Sequence, residues 1–312
     1  MQIINYPDRF HSAHPLVLSL GMFDGVHKGH QCILNEINHI AENKNLKSAI
    51  LTFWPHPRLV LQPETELKLL STIDEKTQHL LKQNLDYLFL QPFNEAFRNL
   101  TGEEFVEQIL VGKLNVKHLI IGHDHVFGKN KSGNFELLKT LAPKFGFEVE
   151  RMDAVNLHND HISSTKIRTA LTNGQIASAN EMLGYPYAIS GTVIHGQKLG
   201  RTLGFPTANL QTDPVKLLPK KGAYIVEVQW REHSYKGMLS IGTNPTVNGK
   251  KTTVEVHLLN FEGNLYDETL TVKFRAFLHE EIKFDTLEAL IERLKEDQKQ
   301  TEDYFAQNPL RA

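Results

Sequence analysis

The stretch over 16–44 constrains the fold more than any other. Leu16-Val17-Leu18-Ser19-Leu20 is an apolar run that reads as a buried strand, and 31–44 reads as a helix with Ile33, Ile37 and Ile40 on one face. Between them lies Gly21-Met22-Phe23-Asp24-Gly25-Val26-His27-Lys28-Gly29-His30. A glycine-punctuated turn from a parallel strand into a helix is where α/β proteins hold phosphates. Amide N–H groups point outward there, and the helix dipole favours an anion. His27 and His30 add donors that suit a triphosphate, and Gly29 keeps the space between them clear. The same pair also fits two ordinary surface histidines. A zinc site is a further reading, although no third ligand is obvious and Cys32 is the one cysteine.

The 312 residues suffice for two domains, each with its own core. The first half alternates strands, over 16–23, 48–54, 87–93, 116–122 and 147–155, with helices that include 103–114 and 134–145. Thr101-Gly102-Glu103-Glu104 supplies a capping box for the first of these helices. The alternation predicts a parallel sheet covered on both faces, with ligands beyond the carboxyl ends of the strands. The pattern changes near Gly184-Tyr185-Pro186. Beyond it, Tyr224, Val226, Val228 and Trp230 share a face, as do Val254, Val256 and Leu258, and Leu270, Val272, Phe274 and Ala276. This period-two pattern predicts an antiparallel barrel or sandwich. Turns are expected at Asn248-Gly249 and Glu262-Gly263-Asn264. A closing helix spans 287–305, capped by Asp285 or Thr286, with Leu287, Leu290, Ile291 and Leu294 as its apolar stripe. The expected division is 1–184 and 185–312.

Three further stretches carry chemistry. Ile162-Ser163-Ser164-Thr165-Lys166-Ile167-Arg168 opens a short helix that ends near Asn173-Gly174. Its hydroxyls and basic residues suit an anion, and equally suit an ordinary capped helix. Gly200-Arg201-Thr202-Leu203-Gly204-Phe205-Pro206-Thr207-Ala208-Asn209 is a glycine-rich loop able to wrap phosphates with backbone donors, though it is no Walker loop. Thr207 and Asn209 offer hard oxygens suited to magnesium. Glu255 alternates away from Val254 and Val256. If its face lines a cleft, it can act as a base; otherwise it is a solvated strand carboxylate. Trp54 and Phe127 stand at strand ends, where they can stack on a flat ring or cap the core, and Asp124 lies in the loop with Phe127.

The His-x-Gly-His turn resembles the nucleotidyltransferase superfamily. The ordered set of Gly25-Val26-His27-Lys28-Gly29-His30, Ser163-Ser164-Thr165-Lys166-Ile167-Arg168, Gly204-Phe205-Pro206-Thr207-Ala208-Asn209 and Val254-Glu255-Val256-His257 resembles the prokaryotic bifunctional riboflavin kinase/FAD synthetase family, from about Leu16 to Phe305. That resemblance implies a Rossmann-like adenylyltransferase domain followed by a kinase barrel with a terminal helix. It implies that riboflavin is phosphorylated to FMN and FMN adenylylated to FAD, with ATP and Mg²⁺. It implies Glu255 as general base, Thr207 and Asn209 at the metal, and Gly200, Arg201, Gly204 and Pro206 at the kinase phosphates. In the first domain it implies His27 and His30 as catalytic phosphate contacts. Gly21, Phe23, Asp24, Gly25, Gly29, Ser163, Ser164, Thr165 and Arg168 then bind ATP, and Trp54, Asp124 and Phe127 the flavin. Lys166 departs from the arginine common in the family, and His123 and His125 replace the usual aromatics of the Gly122–Gly128 loop.

The partners expected are small molecules. The charge of -2 argues against a general nucleic-acid binder, no run of eighteen apolar residues exists to span a membrane, and 1–6 lacks a charged lead and apolar core. One cysteine fits a reducing, cytoplasmic compartment. The rival readings are a kinase with a regulatory nucleotide-binding module, motivated by His123 and His125, a flavin-responsive nucleic-acid regulator, and a zinc hydrolase using His27, His30 and His123 or His125.

Overall fold

The computed structural model describes all residues except 6, 124, 154, 158–159, 197–198, 247–248 and 311–312. It divides into two units, Met1–Ser164 and Thr165–Ala312. In the first, β1 (Gln2–Asn5), β2 (Leu16–Leu20), β3 (Lys47–Trp54), β4 (Tyr87–Pro92), β5 (Val116–Gly122) and β6 (Glu148–Met152) form a parallel sheet in the order β1-β4-β3-β2-β5-β6. The helices are α1 (Lys28–Lys44), α2 (Pro57–Leu61), α3 (Ile73–Leu81), α4 (Glu95–Arg98), α5 (Gly102–Phe105) and α6 (Phe135–Phe145), and β7 (Asn156–Leu157) pairs with β8 (Asp160–His161).

All of β2 is buried, as a strand covered on both faces must be. Its alternate residues divide between two cores. Val17 joins Ile50, Leu88 and Ile120 beneath Leu34, Ile37 and Ile40 of α1. Leu16, Leu18 and Leu20 join Leu119 and Ile121 beneath Phe105, Val106, Ile109, Leu110 and Leu138 on the other side. The stripe of α1 therefore centres on Leu34, with Ile33 at its margin. Chain order steps from β2 through β3 to β4 on one side and returns to β5 on the other. The β2–α1 turn thus stands at the switch point, where such sheets open a crevice.

Several elements differ from the sequence expectation. β2 ends at Leu20 because Phe23 (φ 47°), Gly25 (φ 79°) and Val26 (φ 35°) take positive φ in the turn. The helix expected over 103–114 starts as α5 but continues as a π-helical segment, Val106–Val111. Its wider turns, with Gly112 and Leu114 bonded to the carbonyls of Glu107 and Ile109, hold Phe105, Val106, Ile109, Leu110 and Leu114 in one core. β1 and α3 lie outside the segments read as regular from the sequence.

α7 (Ser164–Thr172) starts on the last residue of the first unit and continues in the second, where α8 (Ile176–Leu183) follows. The strands β9 (Ala188–Ile194), β10 (Ala208–Thr212), β11 (Gly222–Trp230), β12 (His233–Thr246), β13 (Gly249–Leu258) and β14 (Thr269–His279) close an antiparallel barrel in the order β10-β13-β12-β11-β14-β9. Tyr224, Val226, Val228, Val254, Val256, Leu258, Leu270, Val272 and Phe274 are buried. Trp230 is half-buried instead, its indole N–H donating to Glu268 at 3.0 Å.

The turn expected at Glu262-Gly263-Asn264 joins β13 to β14, which are not neighbours in the barrel, so it is no hairpin. Strands β12 and β13 do pair, up to Thr246 opposite Gly249; Asn248 of the expected turn lies outside the described residues. α9 (Leu199–Thr202) precedes β10, and α10 (Leu287–Gln307) closes the unit. Thr286, rather than Asp285, caps α10 through a bond from the Ala289 amide. The expected stripe is too early: Leu287 is exposed, while Asp297, Thr301 and Phe305 are buried. His279 bonds Asp297 at 3.0 Å, anchoring the middle of α10 to β14.

Candidate active sites

The β2–α1 turn is held from beneath. Asp24 is 3% exposed, and its carboxylate accepts from the Leu70 amide, the Ser71 amide and the Ser71 hydroxyl, at 3.0, 3.0 and 3.2 Å. Ser71 Oγ also accepts from the Gly25 amide at 3.1 Å. These bonds pin the positive-φ residues and turn the chain into α1. His27 caps α1: its Nδ1 accepts the His30 amide at 3.3 Å. An accepting Nδ1 leaves the proton on Nε2, which becomes a donor.

The His27 and His30 rings stack with centroids 3.6 Å apart. A Cβ on Gly29 would stand 3.1 Å from His27 Nδ1, so glycine keeps the capping ring in place. Among the described residues, His30 Nδ1 is enclosed without a hydrogen-bond partner. Burial first, and the neighbouring His27 and Lys76 next, hold the His30 imidazole well below its ordinary pKa. A neutral imidazole follows at pH 7, able to donate from one nitrogen and accept at the other. From the next stretch, Ser164 Oγ donates to the Asp24 carbonyl at 3.0 Å. Ser164 therefore joins the turn, with Ser163 preceding it and Thr165 and Arg168 following along α7.

Two residues named for the flavin are described. Trp54 ends β3, and the Lys76 ammonium lies 5.9 Å from its ring centroid. Phe127 packs on Phe105 at 5.5 Å and bridges to Gly133. Its ring is thus partly committed to the core. Asp124 lies outside the described residues.

The second site gathers around β10 and β13. Asn209 and Glu255 are cross-strand partners, and Ser240 is the partner of Glu255 on the other side. Side chains at such positions share a face. Val254, Val256 and Leu258 are buried, whereas Glu255 is half-buried on the opposite face. The Thr207 hydroxyl donates to Glu255 Oε2 at 3.1 Å. The loop ahead of it is set by Gly200, whose carbonyl accepts from the Phe205 amide at 2.8 Å, and by Gly204 at φ 83°. Arg201 is exposed in α9. The Pro206 carbonyl is bonded to the His257 imidazole at 2.8 Å.

Thr207, Asn209 and Glu255 present only oxygens to a cation, a set suited to a hard ion that keeps most of its other ligands from water and phosphate. Among the described residues no group of three or more His, Cys, Asp and Glu could hold a metal ion. Sequence reasoning missed Gly196, where a Cβ would fall 2.2 Å from Asn209 Nδ2. It also missed Ser71 and Lys76, whose one visible sign was the capping-box spacing of Thr72 and Glu75 ahead of the lysine.

A model of FAD synthetase matches 10–166, and a model of riboflavin kinase matches 183–305. The bifunctional riboflavin kinase/FMN adenylyltransferase of Listeria monocytogenes is 39% identical over 93% of this chain and 92% of its own. The chain belongs to the bifunctional riboflavin kinase/FMN adenylyltransferase family.

The member from Pseudomonas fluorescens is 41% identical over 88% of each chain. A crystal structure described as a macrolide-efflux protein from Streptococcus pneumoniae matches with a TM-score of 0.89 at 32% identity, over 96% of this chain and 98% of that one. Among the described residues of the present family member, no helix is long and apolar enough to cross a membrane.

Proposed function

We propose that 1–184 acts as an FMN adenylyltransferase and 185–312 as a riboflavin kinase, so that one chain converts riboflavin to FMN and FMN to FAD. The observation that carries this reading is a built site in each unit. One is the His27–His30 turn, held by Asp24 and Ser71 and met by Ser164. The other is the Thr207–Asn209–Glu255 cluster.

In the kinase step, the ribityl 5′-hydroxyl attacks the γ-phosphorus of ATP. The new O–P bond forms as the bond to the β-phosphate oxygen breaks, and ADP departs. Glu255 takes the hydroxyl proton, an assistance worth roughly 10²–10⁴ in rate. The loop of Gly200, Arg201, Gly204 and Pro206 holds the phosphates. Thr207 and Asn209 would hold Mg²⁺, which when bound neutralises charge developing on the transferred phosphoryl group. The bond from Thr207 restrains the Glu255 carboxylate beside those ligands.

In the adenylyl step, an oxygen of the FMN phosphate attacks the α-phosphorus of a second ATP, and pyrophosphate leaves. His27 Nε2–H and the neutral His30 donate to phosphate oxygens without needing a net charge. Gly21, Phe23, Asp24, Gly25 and Gly29 line the ATP site, and the first-turn amides of α1 add a preorganised anion site. Ser163, Ser164, Thr165 and Arg168 complete the triphosphate contacts, and Trp54, Asp124 and Phe127 receive the flavin. The reactions belong to the cytoplasm, and the partners are riboflavin, FMN and ATP, with no role for nucleic acid or membrane.

Chromatography of products tests the reading. Riboflavin with ATP and Mg²⁺ should give FMN and then FAD, and supplied FMN should give FAD with equimolar pyrophosphate. Return of unaltered flavin overturns it. FMN formation without FAD would instead support the regulatory-module reading that His123 and His125 motivate.

A further inference from the structure

Lys76 sits where a lysine is expensive. It lies on α3, is 1% exposed, and points at the strand ends of the adenylyltransferase turn rather than at solvent. Fully buried lysines are rare unless paired. Among the described contacts, its hydrogen bond goes to a neutral group, the Thr52 hydroxyl at 3.4 Å. That hydroxyl donates onward to the Met22 carbonyl at 3.2 Å, at the head of the turn. Lys76 also lies 5.9 Å from the centre of the Trp54 ring.

The position is imposed by the same elements that build the site. Ser71 is tied to Asp24 and Gly25. Thr72 then starts α3 through a capping box with Glu75. One residue later the helix delivers Lys76 beneath the turn. The titratable groups that interact with it are Asp24 of the turn, which favours the ammonium, and His30 of α1, whose imidazole is held down by burial first, then by His27 and by Lys76.

We propose that Lys76 is a positioning residue for adenylyl transfer: through Thr52 it fixes the Met22 carbonyl at the head of the turn, and its buried ammonium sets a positive charge beneath the turn that meets the phosphates. This rests on the adenylyltransferase reading above. The ammonium is a fixed charge in a dry setting, so its influence on His30 is stronger than a surface lysine would exert. Burial pushes the Lys76 pKa down to about 8. The charge is therefore present at neutral pH and lost on the alkaline side.

The test uses the full chain and two kinds of readout. Lys76→Met keeps the length and apolar stem of the side chain without the charge; Lys76→Arg keeps the charge; Thr52→Val cuts the link to Met22 and leaves the ammonium. In wild type, the rate of FAD formation from FMN should fall above about pH 8. In Lys76→Met that alkaline limb should vanish, the rate at pH 7 should drop on the order of tenfold, and the NMR-titrated pKa of His30 should rise. Lys76→Arg should restore a low His30 pKa. Thr52→Val should raise the KM for ATP and leave the His30 titration where it is. FMN formation from riboflavin should be unchanged in all three.

A Lys76→Met enzyme with wild-type rate, pH profile and His30 titration overturns the proposal. A merely structural lysine would shift the melting temperature and leave the His30 pKa unmoved. Should wild type fail to convert FMN at all, the adenylyltransferase reading falls, and the His30 titration still decides whether Lys76 acts on that ring.

Discussion

At the residue scale, Lys76 shows why a composition of polar and apolar positions is an incomplete guide to a site. A lysine in a short amphipathic helix reads as solvent-facing, and α3 itself was not read from the sequence, although Thr72 and Glu75 stand at capping-box spacing ahead of the lysine. The histidine pair, by contrast, was legible, because a strand, a glycine turn and a helix leave few places for it. Burial of Lys76 has a stability consequence. In the unfolded chain its proton is held up to pH 10.5; in the folded one it is lost from about pH 8. Between those values the unfolded state binds more protons, so stability rises with pH. Below pH 8 the full penalty persists, on the order of 3 kcal/mol. Urea midpoints should therefore climb from pH 8 to pH 10 in wild type, less the losses shared by other groups, and that lysine-specific climb should be missing in Lys76→Met. Parallel midpoint curves for the two proteins would contradict the assignment.

At the element scale, the loop after β5 depends on three glycines at close quarters. A Cβ on Gly128 (φ 71°) would fall 2.6 Å from the Gly102 amide nitrogen, and one on Gly133 would fall 2.4 Å from the Phe127 ring. This contact holds Phe127 against Phe105 at the start of the α5–π segment. Gly128→Ala meets backbone and adds left-handed strain of about 1–2 kcal/mol, so the first unit should lose at least that much stability. Phe127 should lose its seat, and FAD formation should fall, while FMN formation stays intact. Differential scanning calorimetry with both assays checks this, and unchanged melting would refute the packing account. The sequence showed the capping box of α5 but could not show the switch to π geometry. An apolar pattern reports which residues face a core, and α and π turns can both satisfy Phe105, Val106, Ile109 and Leu110.

At the scale of the whole molecule, the same limit governs the barrel. Alternation in β11, β13 and β14 identified their buried faces, yet neighbours are set by closure. β13 lies between β10 and β12, and the loop at Gly263 leads to β14, elsewhere in the ring. That closure makes Asn209 and Glu255 cross-strand partners, a meeting that residues forty-six apart in sequence do not announce. The bonds described above for the β2–α1 turn join 22–76 and Ser164, with no barrel residue among them. Two sites with separate residue sets should fail separately. Glu255→Gln should abolish FMN formation from riboflavin, with a loss of roughly 10²–10⁴ in rate, and still turn supplied FMN into FAD. His30→Ala should make FMN and stall before FAD. If FMN leaves one molecule and enters another, an equimolar mixture of the two variants should carry riboflavin through to FAD, with FMN appearing transiently in solution. A mixture that stops at FMN, although Glu255→Gln alone converts supplied FMN, would contradict free exchange of the intermediate. Equal loss of both reactions in either single variant would contradict the independence of the sites themselves.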